Sequence, residues 1–512
     1  MLIATTAQMR ELDRAAIEEW KIPSTELMER AAEGVAEAVL KELKGRPGKS
    51  AASIFCGTGN NGGDGIAAAR LLARSGMQVR VFLVGGYEKM TEDAKEMTRR
   101  LSDAGVNLEQ WRPDAELCQF VRRSQVIVDA LFGVGLSRPI RDPVLVELVE
   151  RINRAEALVV SADIASGVEA DTGRILGTAV HADRTVAFTM PKAGHFAGEG
   201  KLCTGRLQIW DIGIPPALIR QGTYWTQSID ADYVSAVLPR RKPDGHKGAF
   251  GKASLIAGSV GYTGAPVLAA KAAVRTGCGL VTLGVPESIY AITAGKCDEP
   301  MPYPLPDTKG QFSKKALQSF RQRASGSDAV LIGPGVGRAP EAAWLMRSLL
   351  EELSVPVVVD ADGINALEGH IDVLDRRKGR VTVLTPHDGE FARVGGDLSG
   401  GDRLGTAREF ARAHGCYLVL KGHATVIASP EGTALINTTG NSGMAKGGSG
   451  DVLAGMIVSL LAQGAGPMAA AAAAVWLHGR AGDLAAQALT EYAMTPQDMI
   501  GRISAAFQSI RI

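Results

Sequence analysis

Two glycine-rich stretches hold the residues best suited to chemistry. CGTGNNGGDG, Cys56 to Gly65, sets Asn60, Asn61 and Asp64 among five glycines. Glycines leave backbone N–H groups uncovered and admit a bulky anion, as in pyrophosphate loops. The spacing is neither GxGxxG nor the P-loop pattern, and glycine and asparagine are also ordinary turn formers. Two adjacent asparagines and an aspartate raise the case for a ligand. The second stretch lies in NTTGNSGMAKGGSGDVLAGMIVSLLAQG. Its turn ends in Asp451, and Val452, Leu453, Met456, Ile457, Leu460 and Leu461 follow at helical spacing. Free N–H groups and the helix dipole at such a junction stabilise phosphate oxygens, and Asp451 could take a proton from an attacking hydroxyl. An aspartate opening a helix is also a common cap.

Other candidates sit where β-branched runs end. Asp129 and Asp163 each close such a run, where a carboxylate either serves a site or caps the next helix. Asn61, Asp129 and the hydroxyl of Ser166 would form an all-oxygen set suited to a hard cation. Lys421 to Thr425, KGHAT, follows YLVL and would put an ammonium beside a nucleotide, although a lone lysine there is commonly solvated. His387 in TPHDGEF reads equally as a turn histidine bonded to backbone. Asp360 and Asp362 stand where a metal or substrate role is conceivable.

The elements that must position these residues follow from the alternation of strand and helix patterns. From Ser50, SIFCG, VRVFLVG, VIVDALFG and ALVVSADIASG alternate with helical segments, which means βαβ units on a parallel sheet with ligands at the carboxyl ends of its strands. Two leading helices are expected in AQMRELDRAAIEEW and ELMERAAEGVAEAVLKELKG, the second ended by Gly45 and Pro47 and both packed on the sheet or at a subunit contact. The pattern breaks after TVAFTMPKAGHFAGEGKLCTGRLQIWDIGIPP. A second series then runs through ASLIAGS, GLVTLGVP, AVLIGPGVG, PVVVDADG, VTVLTPH and YLVLKGH. The expected division is a first α/β domain over residues 1–220, a linker over 221–245 and a second α/β domain over 246–512.

At 512 residues, with 56 Lys and Arg against 55 Asp and Glu, the chain has no net field to draw nucleic acid or an acidic membrane. Its expected partners are small molecules. The six cysteines are scattered without a CxxC pair and read as reduced, cytosolic thiols. The N-terminus lacks the apolar core of a signal peptide, and PMAAAAAAVWLHGRAG meets His478 and Arg480 before it could span a bilayer. A cytoplasmic protein is expected. The helical leader and the alanine-rich helices could form subunit contacts, so a homo-oligomer is expected as well.

NNGGDG, VDALFGVGLSRP, SADIASGVEADTG and PKAGHFAGEGKLCTGRL, in order over nearly the whole first half, resemble the NAD(P)H-hydrate epimerase domain. The resemblance implies a Rossmann-like three-layer fold that interconverts the R and S forms of NAD(P)HX, the nicotinamide cofactor hydrated at C6. It also implies substrate contacts from Asn60, Asn61, Gly62, Gly63 and Asp64 and from Gly133, Val134, Gly135, Leu136, Ser137, Arg138 and Pro139. Potassium would be held by Asn61, Asp129 and Ser166, and Asp163 would face the hydrated ring. Epimerising a carbinol beside the ring nitrogen requires loss and return of hydroxide, or ring opening, so a proton carrier is needed, and Asp163 is the candidate.

GYTGAPVLAAKAAV, LIGPGVG, VVVDADGINAL, TPHDGEF, LKGHATVI and GNSGMAKGGSGDVLAG similarly resemble the ADP- or ATP-dependent NAD(P)H-hydrate dehydratase domain, whose fold is ribokinase-like. Ala265, Gly335, Gly337, His387 and Asp451 would contact NAD(P)HX. Lys421, Gly422, His423, Ala424, Thr425 and Gly450 would bind the nucleotide, with Mg²⁺. The implied reaction is phosphoryl transfer to the C6 hydroxyl with Asp451 as base, then expulsion of phosphate. The first loop departs from the family's frequent alanine pair, reading Gly264, Ala265, Pro266. ADP is the donor that the resemblance favours. The competing reading is a ribokinase-type small-molecule kinase fused to a non-catalytic Rossmann-like binding module.

Overall fold

The computed structural model describes residues 1–44, 50–224 and 226–510. Gly45 and Pro47, expected to end the second helix, lie outside the described residues. The chain divides into two compact units, Leu2–Thr226 and, with Met1, Gln227–Ile512. Both are α/β.

In the first unit a parallel sheet runs in the order Leu108–Gln110, Gln78–Leu83, Ala51–Cys56, Val126–Ala130, Leu158–Ala162, Arg184–Phe188, Arg206–Trp210. The period of two along Ala51–Cys56 sorts its side chains to two faces. Ile54 and Cys56 join Val128 and Val160 under the helices Thr6–Glu18, Ser24–Leu43, Asn60–Arg74 and Glu92–Asp103. Phe55 packs with Phe82 and Trp111 on the other face, beneath Ala115–Arg123 and Pro143–Asn153. Three layers result, with the leading helices packed on the sheet. Apart from Arg184, strands Arg184–Phe188 and Arg206–Trp210 lie within TVAFTMPKAGHFAGEGKLCTGRLQIWDIGIPP, ahead of the break in the sequence pattern. Only short turns of helix, Ala193–His195 and Gly200–Thr204, separate them, so no long helical pattern marks their presence.

Chain order reverses between Ala51–Cys56 and Val126–Ala130. Strands then extend outward in both directions, which opens a crevice beyond the carboxyl ends of that central pair.

The second unit has a mixed sheet. It runs through Ala434–Ile436, Val426–Ala428, Tyr417–Leu420, Thr382–Leu384, Val357–Val359, Ala329–Ile332, Lys252–Ile256, Leu280–Pro286 and Met301–Leu305. Pairing is parallel from Tyr417–Leu420 to Met301–Leu305 and antiparallel at the other end. Met301–Leu305 tolerates Pro302 and Pro304 because it lies at an edge. Helices Gly264–Arg275, Ser449–Ala462, Pro467–Ala493 and Pro496–Gln508 bury one face of this sheet. The alanines from Ala470 to Ala474 lie inside that core, packed with Val452 and Ile457. Here the order reverses between Lys252–Ile256 and Ala329–Ile332. Residues 221–245 contain the strand Thr226–Ser228 and the helix Ala231–Val237, capped by Asp230. Among the described residues no helix is long and apolar enough to cross a membrane.

Candidate functional sites at two sheet reversals

NNGGDG is the start of a helix rather than a loop. Asn60–Arg74 begins at Asn60, with Gly59 at the N-cap and no side-chain cap. The glycines are there chiefly for packing. A Cβ at Gly57 would run into the Leu131 carbonyl, one at Gly62 into the Gly57 carbonyl, and one at Gly65 would lie 2.5 Å from the Ala130 Cβ. Only Gly59 of this group faces open space, which corrects the expectation that the glycines bare the loop for an anion. The close approach brings the uncapped helix N-terminus to the crevice, where its first N–H groups favour negative charge.

A cavity of about 620 Å³ fills that crevice. It is lined by Asn60, Asn61, Asp64, Gly133, Val134, Gly135, Leu136, Ser137, Arg138 and Asp163. Gly62, Gly63 and Pro139 are not among its lining residues.

Asp129 lies inside the strand Val126–Ala130, wholly buried and opposite Ser161. Ser166 Oγ donates to its Oδ1 at 2.6 Å, and Ser166 N and Ser161 Oγ donate to its Oδ2 at 2.9 and 2.8 Å. It caps no helix. Burial raises its pKa despite these donors. Asn61 contrasts with it, since both side-chain polar atoms are buried without a partner. A Cβ built on Gly133 would lie 3.1 Å from Asn61 Oδ1, so the amide sits against the Gly133 loop. A buried amide that lacks partners calls for a ligand.

Asp163 follows the strand Leu158–Ala162 with φ +63°, a left-handed conformation that is uncommon for a non-glycine residue. Its backbone is held on both sides. Its N–H donates to Val186 O at 2.8 Å, and its carbonyl accepts from His195 Nε2 at 2.9 Å. His195 Nδ1 accepts from Lys192 N at 3.0 Å, which fixes the neutral tautomer with hydrogen on Nε2. Burial, then the Lys192 charge, holds the His195 pKa down at about 4. Lys192 is 1% exposed and ion-paired with Asp163 Oδ1. Sequence reasoning missed Lys192 and His195, although both lie within the quoted PKAGHFAGEG.

The carboxyls Asp13, Asp64 and Asp93 also line the cavity. Burial, followed by the charge of Asp163, pushes Asp13 up to about 6 and Asp64 well above the carboxylate range.

In the second unit the helix Ser449–Ala462 starts after Gly448, whose φ is +101° and which provides no side-chain cap. Asp451 occupies the first turn and is not the cap. Burial, and next Asp360, raise its pKa to about 7. Lys421 Nζ donates to Asp360 Oδ1 at 2.9 Å and lies 3.7 Å from Glu390 Oε2. A Cβ on Gly450 would meet Lys421 Nζ at 3.3 Å and Asp360 Oδ2 at 3.8 Å. Lys421, Asp360, Gly450 and Asp451 therefore form one cluster. His478 Nε2, buried, donates to Ser449 O at 2.9 Å and steadies the start of the helix.

The GPGVG turn lies across the reversal. Ser259 Oγ donates to Gly335 O at 2.8 Å, Gly258 N to Pro334 O at 2.8 Å, and Gly337 N to Asp362 Oδ2 at 2.9 Å. A Cβ on Gly335, whose φ is +65°, would lie 3.1 Å from the Ala265 Cβ, so Ala265 and Gly335 are neighbours. His387 is the N-cap of Asp388–Arg393. Its Nδ1 accepts from Gly389 N at 3.0 Å, and its Nε2 lies 3.5 Å from Glu390 Oε1. Lys421 to Thr425 leaves the strand Tyr417–Leu420, with Thr425 Oγ1 donating to Gly422 O at 3.3 Å. Asp362 also accepts from Asn365 Nδ2 at 3.0 Å, and Asp360 from Thr385 Oγ1 at 2.6 Å. Among the described residues no group of three or more His, Cys, Asp or Glu could cage a metal.

Comparison with known proteins agrees with this division. Residues 253–505 match the family described as NAD(P)H-hydrate dehydratase, and residues 24–194 match the YjeF-related protein N-terminus. The bifunctional NAD(P)H-hydrate repair enzyme Nnr of Moorella thermoacetica is 41% identical over 98% of this chain and 95% of its own. The protein of the same name from Salinibacter ruber is 38% identical over 94% of this chain and 91% of its own. A Bacillus subtilis ADP/ATP-dependent NAD(P)H-hydrate dehydratase, solved with ATP and Mg²⁺, is 29% identical over 55% of this chain and 98% of its own, with TM-score 0.47. With full-length identity to relatives of one name and both halves matched in order, this chain belongs to the family of bifunctional NAD(P)H-hydrate repair enzymes.

Proposed function

We propose that the two reversals divide the repair of hydrated nicotinamide cofactors between them, with epimerisation of NAD(P)HX in the first unit and ADP- or ATP-dependent dehydration in the second. The observation that carries this reading is the Asp163–Lys192 ion pair opening on a cavity of about 620 Å³ beside the unpartnered Asn61. Asp163 moves the proton that loss and return of the C6 oxygen demands, while the ring nitrogen supplies the push. The backbone clamp from Val186 and His195 keeps the strained carboxylate aimed. Asn60, Asn61, Asp64 and residues 133 to 138 position the dinucleotide, whose phosphates suit the uncapped helix N-terminus.

Potassium fits the donors present, because Asn61 Oδ1 is buried without a partner against the Gly133 loop, and the adjacent Phe132 N–H donates to Ser166 Oγ, which is hydrogen-bonded to Asp129. Asn61, Asp129 and Ser166 would hold it, and the ion supplies a fixed positive charge for orienting oxygens.

In the second unit Asp451 takes the proton of the C6 hydroxyl, and the free N–H groups after Gly448 face phosphate charge. Lys421 and Gly450 border the nucleotide, as do Gly422, His423, Ala424 and Thr425. Ala265, Gly335, Gly337 and His387 border NAD(P)HX. Mg²⁺ would arrive on the nucleotide phosphates, in keeping with its habit of using few protein ligands. Phosphate leaves far more readily than hydroxide, so the phosphorylated carbinol loses phosphate from C6 with the push of N1 and then a proton from C5, which gives the dihydropyridine. A cytoplasmic homo-oligomer agrees with such small-molecule work.

The test is incubation of mixed R- and S-NADHX with ADP or ATP, with and without potassium. Complete recovery of reduced-nicotinamide absorbance, matched by free phosphate, is expected. A stable phosphorylated product would establish the kinase reading instead.

A further inference from the structure

Asp13 is out of place on its helix. Along Thr6–Glu18, Met9, Asp13 and Ile17 stand at i, i+4 and i+8, and all three line the epimerase cavity. The helix's other charges behave as surface groups. Arg14, for instance, pairs with Glu11 at 2.5 Å and with Glu18 at 2.7 Å, and all three are exposed. Asp13 has no hydrogen-bond or ion-pair partner among the described residues, although it is half-buried on an apolar row. The same cavity is lined by Asp163, a carboxylate ion-paired with Lys192. Two carboxyls in such different settings, one paired and one solitary in an apolar wall, suit opposite proton roles.

We propose that Asp13 is the second proton-carrying group of the epimerase, donating to the C6 hydroxyl as it leaves, while Asp163 accepts the proton of the water that returns. This rests on the epimerase reading of the first unit. The C6–O bond breaks with its electron pair on oxygen, the Asp13 proton converts that oxygen to water, and the N1 lone pair forms the C6–N1 double bond. Water then adds to the opposite face of C6, the electron pair returns to N1, and the Asp163 carboxylate takes the surplus proton. Proton return from Asp163 to Asp13 across the cavity restores both groups, and nothing is oxidised or reduced. Burial, with Asp163 next, lifts Asp13 to about 6, so more of it carries a proton near neutrality than an ordinary carboxyl would. The other charged groups facing this space are Asp64, Asp93, Lys192 and Arg138, with Arg10 close to Gly135.

The test uses the full-length chain with R-enriched NADHX and no nucleotide, following approach to the R/S mixture as a function of pH. Because the donor must be protonated, the wild-type rate should fall as pH rises above about 6. Asp13→Asn should lower the rate about 100-fold and flatten that limb. Dehydration of S-NADHX by the same variant should remain normal, and an unchanged thermal unfolding profile should report that the first unit is folded. Asp13→Glu should keep a limb at a shifted pH, and it decides the matter if Asp13→Asn does not fold. A wild-type rate or an unmoved limb in the Asp13 variants overturns the proposal, as does a limb lost in Asp64→Asn but kept in Asp13→Asn. A wild-type chain that does not epimerise above the spontaneous rate overturns the epimerase reading itself.

Discussion

In its proposed role as base Asp451 must be ionised, and its surroundings delay that ionisation. Burial, then Asp360, lifts it to about 7, whereas Lys421 pulls the other way. Turnover in the dehydration of S-NADHX should therefore rise with pH through about 7. Asp360→Asn removes the neighbouring negative charge, and the rise should then move to lower pH in a steady-state profile. Asp451→Asn should still bind nucleotide but lose about 100-fold or more in phosphate release, and near-normal release would reject its role. Asp451, Asp163 and Asn61 were legible as candidates because each is polar and sits where a strand ends or a helix begins. Lys192 was not, because a lysine in a loop reads as solvated. The ion pair with Asp163, 29 residues earlier, together with the Phe188 carbonyl, makes its burial tolerable. His387 stands out in the sequence, and the structure adds that its Nδ1 caps the helix it begins.

At the scale of elements, the helix Asn60–Arg74 shows tertiary packing overriding propensity. Glycine is a poor helix former, so NNGGDG reads as a loop, yet only glycines let this first turn lie against two strand ends. Gly62→Ala should cost about 2 kcal/mol or more, because the methyl meets the Gly57 backbone carbonyl, and should lower Tm by about 4 to 8 °C. Gly59→Ser, in open space at the cap, should leave Tm unchanged or raise it. Thermal unfolding monitored by circular dichroism distinguishes the two. Strands carrying β-branched runs were readable. Leu108–Gln110 and the proline-bearing Met301–Leu305 were not, since short edge strands need no such pattern. The strut from His478 to Ser449 O adds a pH term. Its folded pKa, about 4, lies below the ordinary 6.5, so the unfolded chain binds the proton first and stability falls as pH drops below about 6.5. By pH 5 the loss should be about 2 kcal/mol. His478→Gln, which can still donate to Ser449 O, should lose correspondingly less between pH 7 and pH 5 in urea titrations.

At the scale of the whole molecule, one construction occurs twice. In each unit a sheet reverses strand order, and an uncapped helix N-terminus with a carboxylate lies beyond the strand ends. Hydrophobic periodicity shows the two series of strands. The order in which they pair, and hence the place of each reversal, is set by packing between segments far apart in the chain. The Asp163 cluster lies wholly before Thr226 and the Asp451 cluster wholly after Gln227. With the S epimer released to solution between the two steps, the two activities should complement one another between chains. Asp163→Asn alone should dehydrate S-NADHX at the normal rate and consume the R form only as fast as it racemises unaided. Asp451→Asn alone should interconvert the epimers and release no phosphate. Mixed in equal amounts with R-NADHX and ADP, the two variants should recover reduced-nicotinamide absorbance to completion, at a rate that rises with the concentration of either one. If the mixture behaves like Asp163→Asn alone, the epimer does not travel between chains and must be handed on within one.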